Sequence, residues 1–152
     1  MEYSIRSMRL EDIDAVYAIE VQGHKAPWSR GILVDCILVG YDCRVIEKKE
    51  DNLPIILGYS ICRQSFNVCH ILNLCIAPSY QHQGVGTQLL SRLLDMPMSP
   101  LINTFILEVR PSNYGAIHLY EKMGFLRDGV KEGYYEDQAG VEDAWLYKKV
   151  LE

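Results

Sequence analysis

The chain has 152 residues, 49% of them hydrophobic and 23% charged, with a formal net charge of −5. That length and composition suit one soluble globular domain with a real core and exclude a disordered segment. The acidic balance excludes a general nucleic-acid binder, because no basic stripe stands ready for a phosphate backbone, and it favours a cationic substrate.

Residues 3–6 alternate as a short strand. Ile13, Val16, Tyr17, Ala18 and Ile19 recur near helical spacing over residues 11–21, and Gly23 and Pro27 end that helix. Ser29 caps a second short helix that runs to about Val39. Residues 43–48 and 55–63 read as strands, joined by a polar hairpin loop at 48–52. A third strand covers 68–77 and closes at Pro78. The helix beyond it stops near Asp95, since Pro97 and Pro100 forbid continuation. Residues 104–110 predict a strand, 113–123 a helix stopped by Gly124, and 125–151 two strands around the polar segment 132–143. Neighbouring strands predict antiparallel pairing, and the two strand–helix–strand passages predict parallel pairing at the centre. The expected fold is mixed α/β: one domain over residues 1–152, with a mixed, mostly antiparallel sheet of about seven strands and helices on both faces.

Cys36, Cys43, Cys62, Cys69 and Cys75 lie in or beside apolar segments and form no Cys-x-x-Cys pair. They read as reduced, buried thiols of a cytoplasmic protein. His24, His70, His82 and His118 are scattered, so no metal site is expected. Glu2, Arg6, Arg9, Glu11 and Asp12 interrupt any export signal. Residues 64–91 lack Lys, Arg, Asp and Glu and are long enough to cross a bilayer. Asn67, Asn73, Pro78, Ser79, Gln81 and Gln83 fall inside them, so the stretch reads as two buried strands, a turn and a helix start, and no membrane partner is expected.

Gln81-His82-Gln83-Gly84-Val85-Gly86 follows the apolar run 71–77 and precedes a helix whose Leu89, Leu90, Leu93 and Leu94 share one face. Strand, glycine turn and helix start together make an anion site: glycine lets the backbone approach closely, and the first free N–H groups point at the ligand. A Walker loop needs a lysine after its last glycine, where this chain has Thr87. A dinucleotide fingerprint needs a third glycine, which the run from Gly84 to Leu89 lacks. Gln81, Gly84 and Gly86 fit the pattern Gln/Arg-x-x-Gly-x-Gly/Ala instead. A tight turn with no ligand stays open on this segment alone.

That pattern resembles the pyrophosphate loop of the GNAT acetyltransferases. Leu107-Glu108-Val109-Arg110, Ser112-Asn113 and the run from Leu119 to Phe125 match further segments of the family in the right order. Pro27-Trp28-Ser29 and Gly133-Tyr134-Tyr135 with Glu142-Asp143-Ala144 are similar to a narrower family, the bacterial ribosomal-protein-alanine N-acetyltransferases of the RimI type. The resemblance covers about residues 3–150. It implies a GNAT fold, acetyl-coenzyme A (acetyl-CoA) as co-substrate and no metal. It further implies acetylation of the N-terminal alanine of a small-subunit ribosomal protein, presented as a basic N-terminal peptide. By the same resemblance Gln81, His82, Gln83, Gly84, Val85, Gly86 and Thr87 hold the cofactor phosphates. Leu74, Cys75 and Ile76 pair through their backbone with its acyl arm, and Asn113 and Tyr120 contact it.

The reaction so implied removes a proton from an amine and returns one to a departing thiolate. Glu108 is a lone carboxylate in an apolar strand, readable as an outward-facing residue or, by resemblance, as the general base. Tyr120 is readable as a core aromatic or, by resemblance, as the general acid. Asn113 is also a helix N-cap by type. Cys75 invites an acyl-enzyme reading, which direct transfer in the family opposes. Glu132, Glu136, Asp137, Glu142 and Asp143 are either a solvated hairpin or, with Trp28, Tyr134 and Tyr135, a holder for a basic peptide. Two departures stand out: Ala26 where phenylalanine is frequent before Pro-Trp, and His82 where arginine is common in the loop. Alternatives are a GNAT enzyme acting on lysine, a polyamine or an antibiotic amine, and a non-catalytic acyl-CoA-binding module, which the presence of both Glu108 and Tyr120 opposes.

Overall fold

The structure, a computed structural model, describes residues 2–152. Strand β1 (Ser4–Ser7) leads through a 3-10 turn into helices α1 (Ile13–Gly23) and α2 (Arg30–Leu38). Ser29 starts α2 as expected, its Oγ accepting the Ile32 N–H at 3.2 Å. Strands β2 (Asp42–Glu50), β3 (Leu53–Ser65) and β4 (Val68–Ile76) follow as a meander, then α3 (Val85–Asp95), β5 (Thr104–Val109), α4 (Tyr114–Lys122), β6 (Leu126–Asp137) and β7 (Gly140–Val150). The element order matches the sequence expectation.

Two loops are tighter than their composition suggests. Lys48, Lys49 and Glu50 belong to β2, and the turn reduces to Asp51 and Asn52 with φ of 53° and 64°. Positive φ at both central residues matches the twist of the flanking strands, and Asp and Asn tolerate it. The polar segment 132–143 is likewise strand on both sides of a turn at Gln138 and Ala139.

One seven-stranded sheet results, in the order β1-β2-β3-β4-β5-β7-β6. All neighbours are antiparallel except β4 and β5. The second expected parallel pair does not form. β7 enters between β5 and β6 and runs antiparallel to both, because the β6–β7 hairpin pairs locally and its second strand docks on β5. Ile13, Val16, Ile19 and Leu33 of α1 and α2 pack on Val45, Tyr59, Ile61 and Cys75. Leu90, Leu93 and Tyr120 of α3 and α4 pack on the opposite face with Cys62, Ile71, Phe105 and Leu107. The five cysteines are buried free thiols.

The parallel pair creates the site. β4 and β5 are in register only at Val68–His70 against Thr104–Ile106. Beyond that, β4 bulges: Ile61 of β3 faces Asn73 while the next residue, Cys62, faces Ile71, so Leu72 is supernumerary. The strands then separate, leaving residues 71–76 of β4 and 107–109 of β5 without ladder partners in each other. Backbone groups in such a split must find partners elsewhere, and a ligand can supply them.

Candidate active site

Two cavities open along this split. The larger, about 410 Å³, runs from Leu74, Cys75 and Ile76 past the glycine turn to α4. Its size falls within the range of about 300 to 1,000 Å³ usual for small-molecule sites. The smaller, about 130 Å³, lies between residues 71–74 of β4 and residues 108–110 at the end of β5, with Trp28 and Tyr135 in its wall. His24, Leu74, Asn113, Ala116 and Tyr120 line both, so the cavities meet at these side chains.

The glycine turn has a backbone geometry that suits an anion. Gly84 sits at the N-cap of α3 with φ of 82°, where a side chain is strained, and no atom lies within 4 Å of where its Cβ would stand. The first helical bond closes from Gln88 N–H to Gly84 C=O at 3.1 Å, leaving the N–H groups of Val85, Gly86 and Thr87 free. Gly86 allows close packing, since a Cβ there would stand 3.2 Å from Leu119 and 3.5 Å from Ile76. Gln81, His82, Gly84, Gly86 and Thr87 line the cavity. Gln81 also braces the turn by donating from Nε2 to the Ile76 carbonyl at 3.1 Å. Gln83 and Val85 stand outside the lining: Gln83 is exposed and donates to Ser79 C=O, and the Val85 side chain is buried in the core. The charge that His82 leaves out has a counterpart that sequence reading missed. Lys122 lines the same cavity and its Nζ donates to Thr87 Oγ1 at 3.0 Å.

Tyr120 is 5% exposed, and burial pushes its phenol above the ordinary value, so it is protonated at neutral pH. Its hydroxyl is bonded to no protein group, yet the buried side-chain polar atoms without a partner include only Ser60 Oγ among the described residues. The Tyr120 hydroxyl therefore keeps an open face on the cavities. Asn113 caps α4, its Oδ1 accepting the Ala116 N–H at 3.2 Å, and its amide donors are left for the cavity.

Glu108 lines the smaller cavity. His70 Nε2 lies 2.6 Å from its Oε2 and Lys131 Nζ 3.4 Å from its Oε1. Burial pushes the Glu108 carboxyl up, but the hydrogen bond from His70 and the Lys131 ammonium outweigh it, and the group titrates below its usual range. It is ionised at neutral pH. Cys75 lines the larger cavity, but burial and the nearby Glu20 charge push its thiol up to about 12, which leaves no thiolate to act as a nucleophile.

The fully buried Glu20 organises the far wall. Its Oε1 accepts from Tyr59 Oη and from Asn73 Nδ2, the latter at 2.7 Å, and its Oε2 accepts the Trp28 N–H at 2.9 Å. His24 Nε2 lies 3.0 Å from Asn73 Oδ1 and 3.4 Å from Glu20 Oε1. Glu20 on α1 and His24 at its C-cap, four positions apart, carried a legible spacing; their partner Asn73 is distant in sequence.

The expected acceptor residues separate. Trp28 and Tyr135 line the smaller cavity, whereas Tyr134 is 51% exposed and stacks edge-on against Tyr135 at 5.0 Å. A β6 bulge between Lys131 and Tyr135 turns this pair relative to β7. Arg110 lies 4.3 Å over the Tyr135 ring and pairs with Asp137 at 3.1 Å and Glu142 at 3.2 Å. Glu142 further accepts from Ser112 and faces Lys25, and Asp143 accepts the Gly133 N–H. Much of the acidic run is thus neutralised within the protein. Glu132 and Glu136 remain as exposed carboxylates without a protein partner among the described residues.

Residues 9–125 match the model of the acetyltransferase (GNAT) family. The chain is 35% identical over 130 residues to the [ribosomal protein bS18]-alanine N-acetyltransferase of Haemophilus influenzae, with 85% of each chain covered. The solved ribosomal-protein-S18-alanine N-acetyltransferase of Escherichia coli superposes with a TM-score of 0.86 at 29% identity, covering 99% of this chain and 94% of that one. A Salmonella typhimurium protein solved with its cofactor acetyl-CoA shares the fold, with a TM-score of 0.78 at 20% identity over 100% of this chain and 95% of that one.

Proposed function

The chain belongs to the GNAT family of acetyltransferases, and from that premise we propose that it moves the acetyl group of acetyl-CoA onto the N-terminal alanine of a small-subunit ribosomal protein. It is an N-acetyltransferase; the acceptor and the roles of Glu108 and Tyr120 are the added reading. One observation carries it. Glu108 and Tyr120, from different elements, face a small cavity that joins a larger one ending at an anion cradle.

The residues present fit acetyl-CoA. The free N–H groups at the start of α3, with Lys122 beside them, suit a pyrophosphate. The backbone of Leu74, Cys75 and Ile76, paired with β3 but open on the edge toward β5, suits the amide-bearing acyl arm, and Asn113 offers donors to it. The bound group supplies an activated acyl carbon and a thiolate leaving group. An α-amino group has an ordinary pKa of roughly 7.7 to 8.0, so a modest pull suffices to free its lone pair. Glu108, ionised by His70 and Lys131, takes that proton directly or through a water. Tyr120, neutral and open to both cavities, returns a proton to the departing sulfur.

Trp28 and Tyr135 flank the acceptor, with Glu132 and Glu136 placed to attract a basic residue behind the alanine. A ribosomal acceptor places the reaction in the cytoplasm. The decisive experiment incubates the protein with acetyl-CoA and an Ala-Arg-leading peptide and reads intact mass. One acetyl on the peptide α-amine is the expected result. No gain there, with a clear gain on lysine, a polyamine or an aminoglycoside, overturns the acceptor assignment.

A further inference from the structure

We propose that His24 orients the acceptor amine, holding one of its N–H groups through Nδ1 so that the amine lone pair faces the acyl carbon. The inference rests on the N-acetyltransferase reading above and adds a residue that neither the loop pattern nor the Glu108/Tyr120 pair contains.

The hydrogen bonds around His24 fix its tautomer. Glu20 is 1% exposed and accepts from the Tyr59 hydroxyl and the Trp28 N–H, as an ionised carboxylate does. Asn73 therefore turns its amide donor to Glu20, at 2.7 Å, and its carbonyl oxygen to His24. An oxygen facing His24 Nε2 at 3.0 Å requires that nitrogen to carry the proton. In the neutral imidazole Nδ1 is then the lone-pair nitrogen, and no protein group among the described residues is bonded to it. The ring is held by a buried carboxylate through an intervening amide, while its side chain stays 31% exposed to the cavities.

Position supplies the rest. His24 is one of five residues lining both cavities, with Leu74, Asn113, Ala116 and Tyr120. Of these only His24 carries a nitrogen lone pair, and Asn113 Oδ1 is already engaged by Ala116 N–H. A primary amine that has given one proton to Glu108 keeps two N–H groups and one lone pair. Aiming the lone pair means engaging the N–H groups elsewhere. The carboxylates nearest to hand are committed: Glu20 to Tyr59, Asn73 and Trp28, and Glu108 to the proton it has taken, beside His70 and Lys131. His24 lines the junction of the two cavities, Glu108 lines the smaller of them, and no described protein group engages His24 Nδ1.

Two variants separate this role from a structural one. His24→Gln keeps a donor for Asn73 at the place of Nε2 and removes the free acceptor. His24→Asn places a carbonyl oxygen near the place of Nδ1. Steady-state kinetics of the full chain are read on whichever amine the wild-type protein acetylates, alongside thermal melting. His24→Gln is expected to lower kcat/KM for the amine about a hundred-fold, the scale of a 1 Å misplacement, with KM for acetyl-CoA and Tm unchanged. His24→Asn is expected to recover part of that loss. Wild-type kcat/KM in His24→Gln overturns the inference. If His24→Gln melts early, equal impairment of His24→Asn overturns it and partial recovery supports it. A wild-type protein that ignores the Ala-Arg peptide but acetylates another amine overturns the acceptor reading alone, since the His24 comparison then runs on that amine.

Discussion

Glu108 and His70 meet across β5 and β4 at 2.6 Å, and the second nitrogen of the imidazole faces Arg63 Nη2 at 3.4 Å. Arginine only donates, so Nδ1 of His70 is the acceptor and Nε2–H points at Glu108. The carboxylate is thereby kept ionised despite burial. His70→Ala removes the leading opposition to the desolvation that pushes Glu108 up. The acidic limb of kcat at saturating peptide should therefore move to higher pH in His70→Ala. A limb that stays at the wild-type pH would mean that Glu108 does not accept the proton.

Glu108→Gln removes the base and keeps the side chain's size. A loss in kcat of about 10² to 10⁴, with KM for acetyl-CoA unchanged, is the expected outcome for a general base. Tyr120→Phe deletes a hydroxyl that bonds no protein group, so Tm should hold while kcat falls. Retained activity in the double variant would assign the chemistry to other residues.

The elements and the residues of the glycine turn were legible in the sequence, because both are local. The loop from Gln81 to Thr87, its strand and its helix are contiguous, and Asn113 and Tyr120 share one helix and its cap. The acceptor side was legible only in parts. Glu20 and Asn73 lie 53 positions apart, Glu108 and His70 38, and Arg110 and Glu142 32. No local period encodes such pairs. Neither the Leu72 bulge nor the insertion of β7 beside β5 has a composition signal, and these two features open the cleft and deliver Tyr135 to it. The acidic run stayed open between two readings for the same reason: its partners Arg110, Ser112 and Lys25 lie in other elements.

Lys122→Ala should raise KM for acetyl-CoA several-fold, with the defect growing as ionic strength falls, because an exposed ammonium acts on phosphate through a screened charge. KM for the amine should not change. Gly84→Ala tests the backbone beside it. No atom crowds the new Cβ, so the cost is conformational, about 1 kcal/mol of stability for a left-handed alanine. Weaker acetyl-CoA binding should accompany that loss, as the turn relaxes away from φ of 82°. An unchanged KM for acetyl-CoA in both variants would move the phosphate site elsewhere.

Glu142 ties the β6–β7 hairpin to the start of α4. Burial pushes its carboxyl up, but hydrogen bonds from Ser112 and Arg110 and the charge of Lys25 hold it down at about 2. A carboxyl whose folded pKa lies below its unfolded value of about 4.3 binds fewer protons when folded, so its contribution is complete above that unfolded value. The contribution fades as pH falls from about 4.3 toward about 2. Wild type should therefore melt higher than Glu142→Gln at pH 7, and the gap should close across that window. The side chain is 22% exposed, so solvent screens the pairing and the gap at pH 7 should be modest. Loosening this tie also leaves Arg110, which lies against Tyr135 in the wall of the smaller cavity, with Asp137 as its one remaining carboxylate partner among the described residues. Glu142→Gln should thus raise KM for the peptide while sparing KM for acetyl-CoA. A Tm gap that persists unchanged below pH 3 would show that packing, not charge, holds the hairpin in place.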